Sequence, residues 1–365
     1  MRQRKVFGAA LILFTMFVLF QSYSCKAIGS NANVNNIESQ PQATTNNQEE
    51  EVTQEDKEIV IGLSLPSTIS TRWLKEKELM EAYAKEKGVT LISRVAQEDA
   101  EQQAAQVDEL LNENIDILIL APVDAVAAAS SVEKAHALGK KVIAYDRIIL
   151  NTDLDLYVTF DSIEVGKIQG AYLAETVPEG NYLILSGDPG DYNSTFLKQG
   201  AMKYIDPLIS EGKVSIVTEQ AIKNWDPEYA YQIVKNVLET TENNVDAILA
   251  PNDSTAAGVI QALSEQGLAG KIPVTGQDAE IAALQRIVEG TQSMTVFKDP
   301  ERISQEAIDA AIALVEGKKV VTNGAISNKK MYVPSILLPS YLVTKDNIEE
   351  VLINQGYFKK EDIYQ

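Results

Sequence analysis

The pattern that most constrains the fold of this chain is a regular alternation of short apolar runs with longer stretches of helical periodicity, beginning at residue 59. The runs are β-branched and aliphatic, and they are continuous rather than alternating with polar residues. Continuous runs are typical of parallel sheets that are covered by helices on both faces. The runs occupy residues 59–63, 115–120, 141–145, 156–160, 181–185, 214–217, 245–249 and 272–275.

The strand–helix units are more numerous than one doubly wound sheet comfortably holds. We therefore predict an α/β chain made of two doubly wound parallel-sheet lobes that are joined by a hinge. The first crossing between the lobes is expected after the strand at 156–160, and return crossings are expected near Asp299 and after Lys329. This division predicts a first lobe of residues 58–163 with 299–330, and a second lobe of residues 164–298 with 331–365.

The beginning of the chain has the features of an export signal. Arg2, Arg4 and Lys5 precede an apolar run over residues 6–20, and small or polar residues follow up to Cys25. The run of 15 residues is short for a membrane span, which needs about 20. We therefore predict that residues 1–25 are a signal peptide, with an uncleaved membrane anchor as the alternative.

Cys25 is the only cysteine, and it follows Ser24 where bacterial lipoprotein signals place the residue that is acylated. The segment resembles such a lipobox, which predicts lipidation at Cys25; the alternative is a plain cleavage site with an incidental thiol. Residues 26–57 are rich in Asn, Gln, Thr and Glu and lack apolar periodicity, which predicts a flexible tether. Together these features predict an exported, extracytoplasmic protein that is lipid-anchored to the cell membrane.

The charge and the rare residues exclude several function classes. With 52 Asp and Glu against 32 Lys and Arg, the formal charge of −20 disfavours binding to nucleic acid or other polyanions. His136 is the only histidine, so a site with two histidine ligands cannot form, and we predict neither a metal nor a catalytic centre. The glycine spacing contains neither dinucleotide-binding nor P-loop motifs, so no nucleotide cofactor is expected.

Side chains suited to a polyhydroxyl ligand follow many of the predicted strands. Ligands of open α/β sheets bind beyond the carboxyl ends of the strands. Arg, Asp and Asn can donate to and accept from vicinal hydroxyl groups, while an indole ring can cover the apolar face of a sugar. Each residue alone has an ordinary explanation, such as a helix cap or core packing, but together they favour a neutral polyol. The candidates lie in the segments 70–73, 146–147, 188–193, 224–227, 252–253 and 277–278, and at Lys298.

These residues lie in stretches that resemble a known family. Arg72-Trp73, the segment 142–147, the segment 252–256 and the segment 276–280 occur in the order found in periplasmic sugar-binding proteins of ABC importers, particularly their D-xylose-binding members. The resemblance covers residues 59–320 and implies the type I periplasmic binding protein fold. It implies that Trp73 and Trp225 sandwich the sugar ring. It also implies hydrogen bonds to the sugar from Arg72, Asp146, Arg147, Asn193, Asn252, Asp278 and Lys298.

The resemblance implies a function in transport. We expect a monomeric substrate-binding component that delivers D-xylose, or a related monosaccharide, to a membrane permease. A tethered sensor that presents its closed form to a membrane histidine kinase or chemoreceptor is an alternative. A sugar-processing enzyme with Asp146 and Asp278 as paired carboxylates is a third possibility, although the resemblance is to proteins without catalytic activity.

Overall fold

The structure, a computed structural model, describes residues 58–364. The predicted signal peptide (1–25), the predicted tether (26–57) and Cys25 therefore lie outside the described residues. None of the helices within residues 58–364 combines the length and the apolar character that a membrane span requires.

The first lobe is built on a seven-stranded sheet in the order β10-β11-β5-β4-β3-β1-β2. All neighbouring strands are parallel except β10 and β11, which are antiparallel. The strands are β1 (Val60–Leu65), β2 (Thr90–Val95), β3 (Ile117–Leu120), β4 (Lys141–Tyr145), β5 (Leu156–Phe160), β10 (Gly324–Ser327) and β11 (Tyr332–Leu338).

Helices cover both faces of this sheet, which explains its continuous apolar strands. On β3, Ile117 and Ile119 belong to one core cluster, whereas Leu118 and Leu120 belong to another. The first cluster includes side chains of α1 (Thr71–Glu86) and α9 (Pro300–Val315), and the second includes side chains of α2 (Ala100–Asn112) and α3 (Ala129–Ala137). Successive side chains of a strand point to opposite faces, so a strand between two helix layers must be apolar throughout.

The second lobe has a three-stranded parallel sheet in the order β7-β6-β8, together with an antiparallel pair of β9 and β12. Its strands are β6 (Gly180–Ser186), β7 (Val214–Ala221), β8 (Ala247–Leu249), β9 (Thr295–Lys298) and β12 (Ser340–Val343). Its helices are α4 (Ser162–Thr176), α5 (Asn193–Ser210), α6 (Pro227–Thr240), α7 (Asp253–Glu265) and α8 (Ile281–Glu289), with the short α10 (Lys360–Ile363) packed near α8. The predicted fold class, two α/β lobes with parallel sheets, is confirmed.

The chain passes between the two lobes at Asp161, Asp299 and Pro339. Asp161 and Asp299 are N-caps, because each side chain accepts hydrogen bonds from two backbone N–H groups in the first turn of α4 or α9.

The third crossing differs from the predicted one: residues 331–365 were assigned to the second lobe, but β11 pairs with β5 in the first. The antiparallel turn between β10 and β11 returns the chain to the same sheet, so the crossing comes one strand later. The rest of the predicted division remains our proposal.

Glycines allow α4 and α5 to approach each other closely. A methyl group added at Gly200 would lie 2.1 Å from the carbonyl oxygen of Ile163, and one added at Gly166 would lie 1.9 Å from that of Leu197. Both obstacles are backbone atoms, which cannot rotate away as a flexible side chain can. The absence of side chains at the two glycines therefore allows α4, the first helix of the second lobe, to pack directly against α5.

Gly200→Ala should lower the free energy of unfolding by about 3 kcal/mol, because the added methyl group forces the two helix backbones apart. Urea denaturation would measure the change. The exposed Lys203 on the same helix provides the control, and Lys203→Ala should change stability by less than about 0.5 kcal/mol. Equal stability of the two variants would contradict the close packing described here.

Candidate functional site

All nine residues that the family resemblance assigns to sugar binding line one cavity between the lobes. From the first lobe, Arg72 and Trp73 lie in the first turn of α1, while Asp146 and Arg147 directly follow β4. These four side chains converge because α1 begins, and β4 ends, at the same edge of the sheet, beyond the carboxyl ends of the parallel strands.

The second lobe supplies the other five residues from five separate elements. Asn193 is the first residue of α5, and Trp225 ends a 3₁₀ turn that precedes α6. Asn252 is the N-cap of α7, Asp278 lies in the loop before α8, and Lys298 is the last residue of β9. The cavity is thus complete only when both lobes contribute to it.

An ionic network of two cations and two carboxylates connects the lobes. Arg72 binds Asp146 through two hydrogen bonds, Nη1 to Oδ2 at 3.0 Å and Nη2 to Oδ1 at 3.1 Å. Lys298 Nζ lies 2.8 Å from Asp278 Oδ1, and Arg72 Nε lies 3.4 Å from the same oxygen. All four side chains are less than one-tenth exposed. Buried charges are tolerated when they are paired in this way, and paired carboxylate and guanidinium groups form strong hydrogen bonds.

The network keeps Asp146 ionised. Burial alone would raise the pKa of Asp146, but Arg72 and Lys298 outweigh it and hold the pKa at about 2. The general acid of a glycoside hydrolase requires the opposite, a carboxyl group whose pKa is raised so that it carries a proton at neutral pH. The electrostatics therefore do not suit Asp146 to that role.

Three buried polar atoms on cavity residues have no hydrogen-bond partner among the described residues. They are Arg72 Nε, Asp278 Oδ1 and Trp225 Nε1. Asp278 Oδ1 is within ion-pair distance of Lys298, but the geometry is not that of a hydrogen bond. Buried polar atoms are nearly always satisfied in folded proteins, because leaving one unpaired costs about 1–3 kcal/mol. Two donors and one acceptor are thus available to a ligand in the cavity.

The backbone is strained at three of the site residues. Asp146 has φ of 56°, Trp225 of 54° and Asp278 of 98°, in the region that L-residues rarely adopt. At Asp146 the conformation is held by hydrogen bonds to its carbonyl oxygen, from the hydroxyl of Tyr157 at 2.7 Å and the amide of Asn193 at 2.9 Å. Strain of this kind persists where the surroundings hold it, and it is characteristic of binding sites.

Both tryptophans are buried at the cavity. The Arg72 guanidinium lies 4.1 Å from the ring centroid of Trp73, and that of Arg147 lies 5.4 Å away, within range of cation–π attraction. A methyl group at Gly187 would lie 2.1 Å from the Trp225 ring, so glycine at this position makes room for the indole. The Trp73 ring therefore packs against two arginines that line the cavity, and the Trp225 ring packs closely against the backbone at Gly187.

The structure shows a second group of ionic contacts at the cavity, between Arg147 and the carboxylates of Asp191 and Glu98. These two acidic residues were not among the predicted site residues. Arg147 Nε lies 2.9 Å from Asp191 Oδ2, and Arg147 Nη1 lies 3.7 Å from Glu98 Oε2. Glu98 follows β2, whose mixed polar and apolar sequence was not recognised as a strand. The polar residues Gln97, Glu98 and Asp99, directly after residues 90–95, were the sequence feature that could have indicated a further strand end at the site. Other side chains that line the cavity are Ile69, Ser70, Ser162, Leu197, Ser254 and Gln277.

Comparison with known proteins places the chain among solute-binding proteins. Residues 61–319 match a family model described as a periplasmic binding protein domain. Over 308 residues the chain is 40% identical to the D-xylose-binding periplasmic protein of Haemophilus influenzae, covering 84% of this chain and 93% of that protein. It is 36% identical over 307 residues to the D-xylose-binding periplasmic protein of Escherichia coli, with the same coverage. A solved carbohydrate transporter solute binding protein from Chloroflexus aurantiacus, in complex with D-glucose, superposes with a TM-score of 0.80 at 34% identity, covering 84% of this chain and 98% of that one.

Glu76 contacts the ionic network through Arg72. It lies one helical turn after Arg72 on α1 and accepts a hydrogen bond from Arg72 Nη1 at 2.8 Å. Its other oxygen accepts from the hydroxyl of Tyr145 at 2.7 Å. Complete burial raises the pKa of Glu76 to about 7, although the neighbouring Arg72 opposes this shift.

Glu76 should make the protein less stable at high pH. Because its pKa is raised from 4.5 to about 7 by folding, the folded state binds this proton more tightly than the unfolded state. Its contribution is present below the unfolded pKa and is lost as the pH rises through the folded one. When the pH is raised from 5 to 8.5, the free energy of unfolding of the unsubstituted protein should therefore fall by about 2–3 kcal/mol more than that of Glu76→Gln. Urea denaturation at both pH values measures this difference, and Glu78→Gln, at an exposed position on the same helix, should show none.

Proposed function

Because this chain belongs to the family of periplasmic binding proteins, we propose that it binds a neutral monosaccharide, D-xylose or a close relative, between its two lobes. The observation that carries the proposal is a set of three buried polar atoms, on Arg72, Asp278 and Trp225, that make no hydrogen bond among the described residues although their side chains line one cavity. A sugar hydroxyl can donate to the carboxylate and accept from the guanidinium, so one ligand class satisfies both kinds of group.

The charge balance of the cavity supports a neutral ligand. The inner network has two cations, Arg72 and Lys298, and two carboxylates, Asp146 and Asp278, and each charge already has a partner of opposite sign. An anionic or cationic ligand would add an unpaired charge to a buried site, which is costly. A sugar instead offers dipolar hydroxyl groups to the charged atoms and apolar C–H faces to Trp73 and Trp225.

The mechanism that we propose is closure of two lobes around the sugar. Ligand binding to one lobe is followed by rotation about the crossings at Asp161, Asp299 and Pro339, which completes the network from both sides. The closed form then docks on a membrane permease of the ABC type, where other chains hydrolyse ATP. The relatives named for D-xylose binding and the structural neighbour from a carbohydrate transporter support this role.

Binding without catalysis is part of the proposal. The relatives are solute-binding proteins, and the low pKa of Asp146 does not suit a general acid. A tethered sensor would use the same closure and differ only in its membrane partner. Isolation of that partner, a permease or a histidine kinase, would distinguish transport from sensing.

The proposal includes an extracytoplasmic location and attachment by lipid at Cys25. Support comes from the basic start, the 15-residue apolar run and the position of the single cysteine, all within the first 25 residues. The relatives named as periplasmic proteins support export. A monomer anchored in this way would remain near its permease.

Removal of a cavity side chain should weaken sugar binding. Trp225→Ala removes a ring surface and Asp278→Ala removes an acceptor, and each should raise the Kd for D-xylose by more than about tenfold in titration calorimetry. Tyr204→Ala, an exposed position on α5 outside the cavity, should leave the Kd unchanged. A thermal-shift screen with xylose, ribose, arabinose and glucose would first identify the preferred sugar, since a ligand of the folded state raises the Tm. Unchanged affinity in both cavity variants would contradict the site assignment.

Cys25→Ser should abolish lipid attachment without changing the sugar site. In cells supplied with labelled palmitate, the full-length protein should incorporate the label and sediment with membranes, while the variant should do neither. The variant should retain the Kd of the unsubstituted protein for D-xylose, because the residues that line the cavity all lie within residues 69–298. Incorporation of label by the Cys25→Ser variant would show that the anchor is elsewhere.

A further inference from the structure

Two helices at the cleft begin without a side-chain cap of their own. Ser70 is the N-cap residue of α1, and Glu280 is the N-cap residue of α8, yet neither side chain bonds to its own helix. Serine is among the preferred capping residues, so a serine that does not cap needs another explanation. Neither helix has an acidic residue in its first turn.

The two side chains bond to each other across the cleft. Ser70 Oγ donates a hydrogen bond to Glu280 Oε1 at 2.7 Å, and it joins the first lobe to the second because α1 and α8 belong to different lobes. The hydroxyl of Ser254, at the start of α7 in the second lobe, donates to the same carboxylate at 3.2 Å and 3.4 Å. The carboxylate thus lies among the N-terminal ends of three helices, where helix dipoles stabilise negative charge.

The contacts between the lobes are of several kinds, and one of them, from Lys329 Nζ to the Tyr192 ring at 4.5 Å, also joins side chains that do not line the cavity. The bonds from Arg147 to Asp191 and from Asn193 to Asp146 join residues that line the cavity. A further contact, from the Ala125 N–H to the Gly190 carbonyl at 2.8 Å, is made by backbone atoms. Ser70 lines the cavity, but Glu280, which bonds to it through its side chain, does not. Glu280 can therefore affect closure without contacting the sugar.

We propose that Ser70 and Glu280 form a latch, a hydrogen bond that is made when the lobes close and that slows release of the bound sugar. The latch rests on the proposed function, since it needs a ligand that closes the cleft. When the lobes separate, Ser70 becomes free to cap α1, and Glu280 retains Ser254. Opening therefore exchanges one hydrogen bond for another, so the latch adjusts the rate of release and does not prevent it.

The test is a double-mutant cycle on sugar release. Stopped-flow measurement of tryptophan fluorescence, with D-xylose as the probe, gives the dissociation rate for the unsubstituted protein, Ser70→Ala, Glu280→Ala and the double variant. Each single substitution should raise the rate about fivefold, the effect of one net hydrogen bond, and the double variant should be no faster than either single one. Glu280→Gln, which keeps an acceptor oxygen, should recover most of the original rate.

A matched hydroxyl–carboxylate pair within the first lobe provides the control. Ser93 Oγ donates to Glu81 Oε1 at 3.0 Å, so Ser93→Ala removes a bond of the same kind that does not cross the cleft. It should leave the dissociation rate unchanged, and the sugar-free Tm of the latch variants should equal that of the unsubstituted protein.

Two results would overturn the latch alone. Normal D-xylose binding with unaltered release in Ser70→Ala and Glu280→Ala would exclude it, as would singly faster variants whose effects multiply in the double variant. If the unsubstituted protein bound none of the four monosaccharides, the proposed function would fail, and the latch with it.

Discussion

The buried network of Arg72, Asp146, Asp278 and Lys298 is the interaction on which the rest of the site depends. Removing a charge from water costs several kcal/mol unless a partner of opposite sign compensates it. Here Arg72 and Asp146 come from the first lobe, whereas Asp278 and Lys298 come from the second. Each lobe therefore holds its own cation–carboxylate pair, and the approach of Arg72 Nε to Asp278 Oδ1 at 3.4 Å joins the two pairs across the cleft.

The scaffold serves this network by holding side chains at the carboxyl ends of parallel strands. Burial of β3 between two helix layers makes the first-lobe sheet rigid, so the positions beyond its strands are well defined. The strained backbone at Asp146 is held by hydrogen bonds from Tyr157 and Asn193, which belong to different lobes. Asn193 thus donates to the backbone carbonyl oxygen of Asp146 across the cleft, in addition to lining the cavity. Local strain, second-layer hydrogen bonds and lobe closure are coupled in this part of the fold.

Electrostatics act on two scales in this protein. The excess of 20 negative charges is a property of the whole chain and disfavours polyanionic partners. Within the cavity, by contrast, each of the three cations, Arg72, Arg147 and Lys298, is paired with a carboxylate, which suits an uncharged ligand. Glu76 is buried beside Arg72, and its raised pKa of about 7 places its titration in the physiological range. The charge of a chain therefore does not predict the charge of its ligand.

The sequence by itself determined the fold class and the nine cavity residues, because both follow from local patterns. Continuous apolar runs indicate strands that are buried on both faces, and the carboxyl ends of such strands converge. The similarity of short segments to a known family then indicated which side chains to select. Only the tertiary structure decided that β11 belongs to the first sheet, that Glu98 reaches Arg147 and that Ser70 bonds to Glu280. Each of these contacts joins residues at least 49 positions apart, and Ser70 and Glu280 are separated by 210. Their partners are chosen by how the lobes pack, and no local pattern of residues encodes that choice.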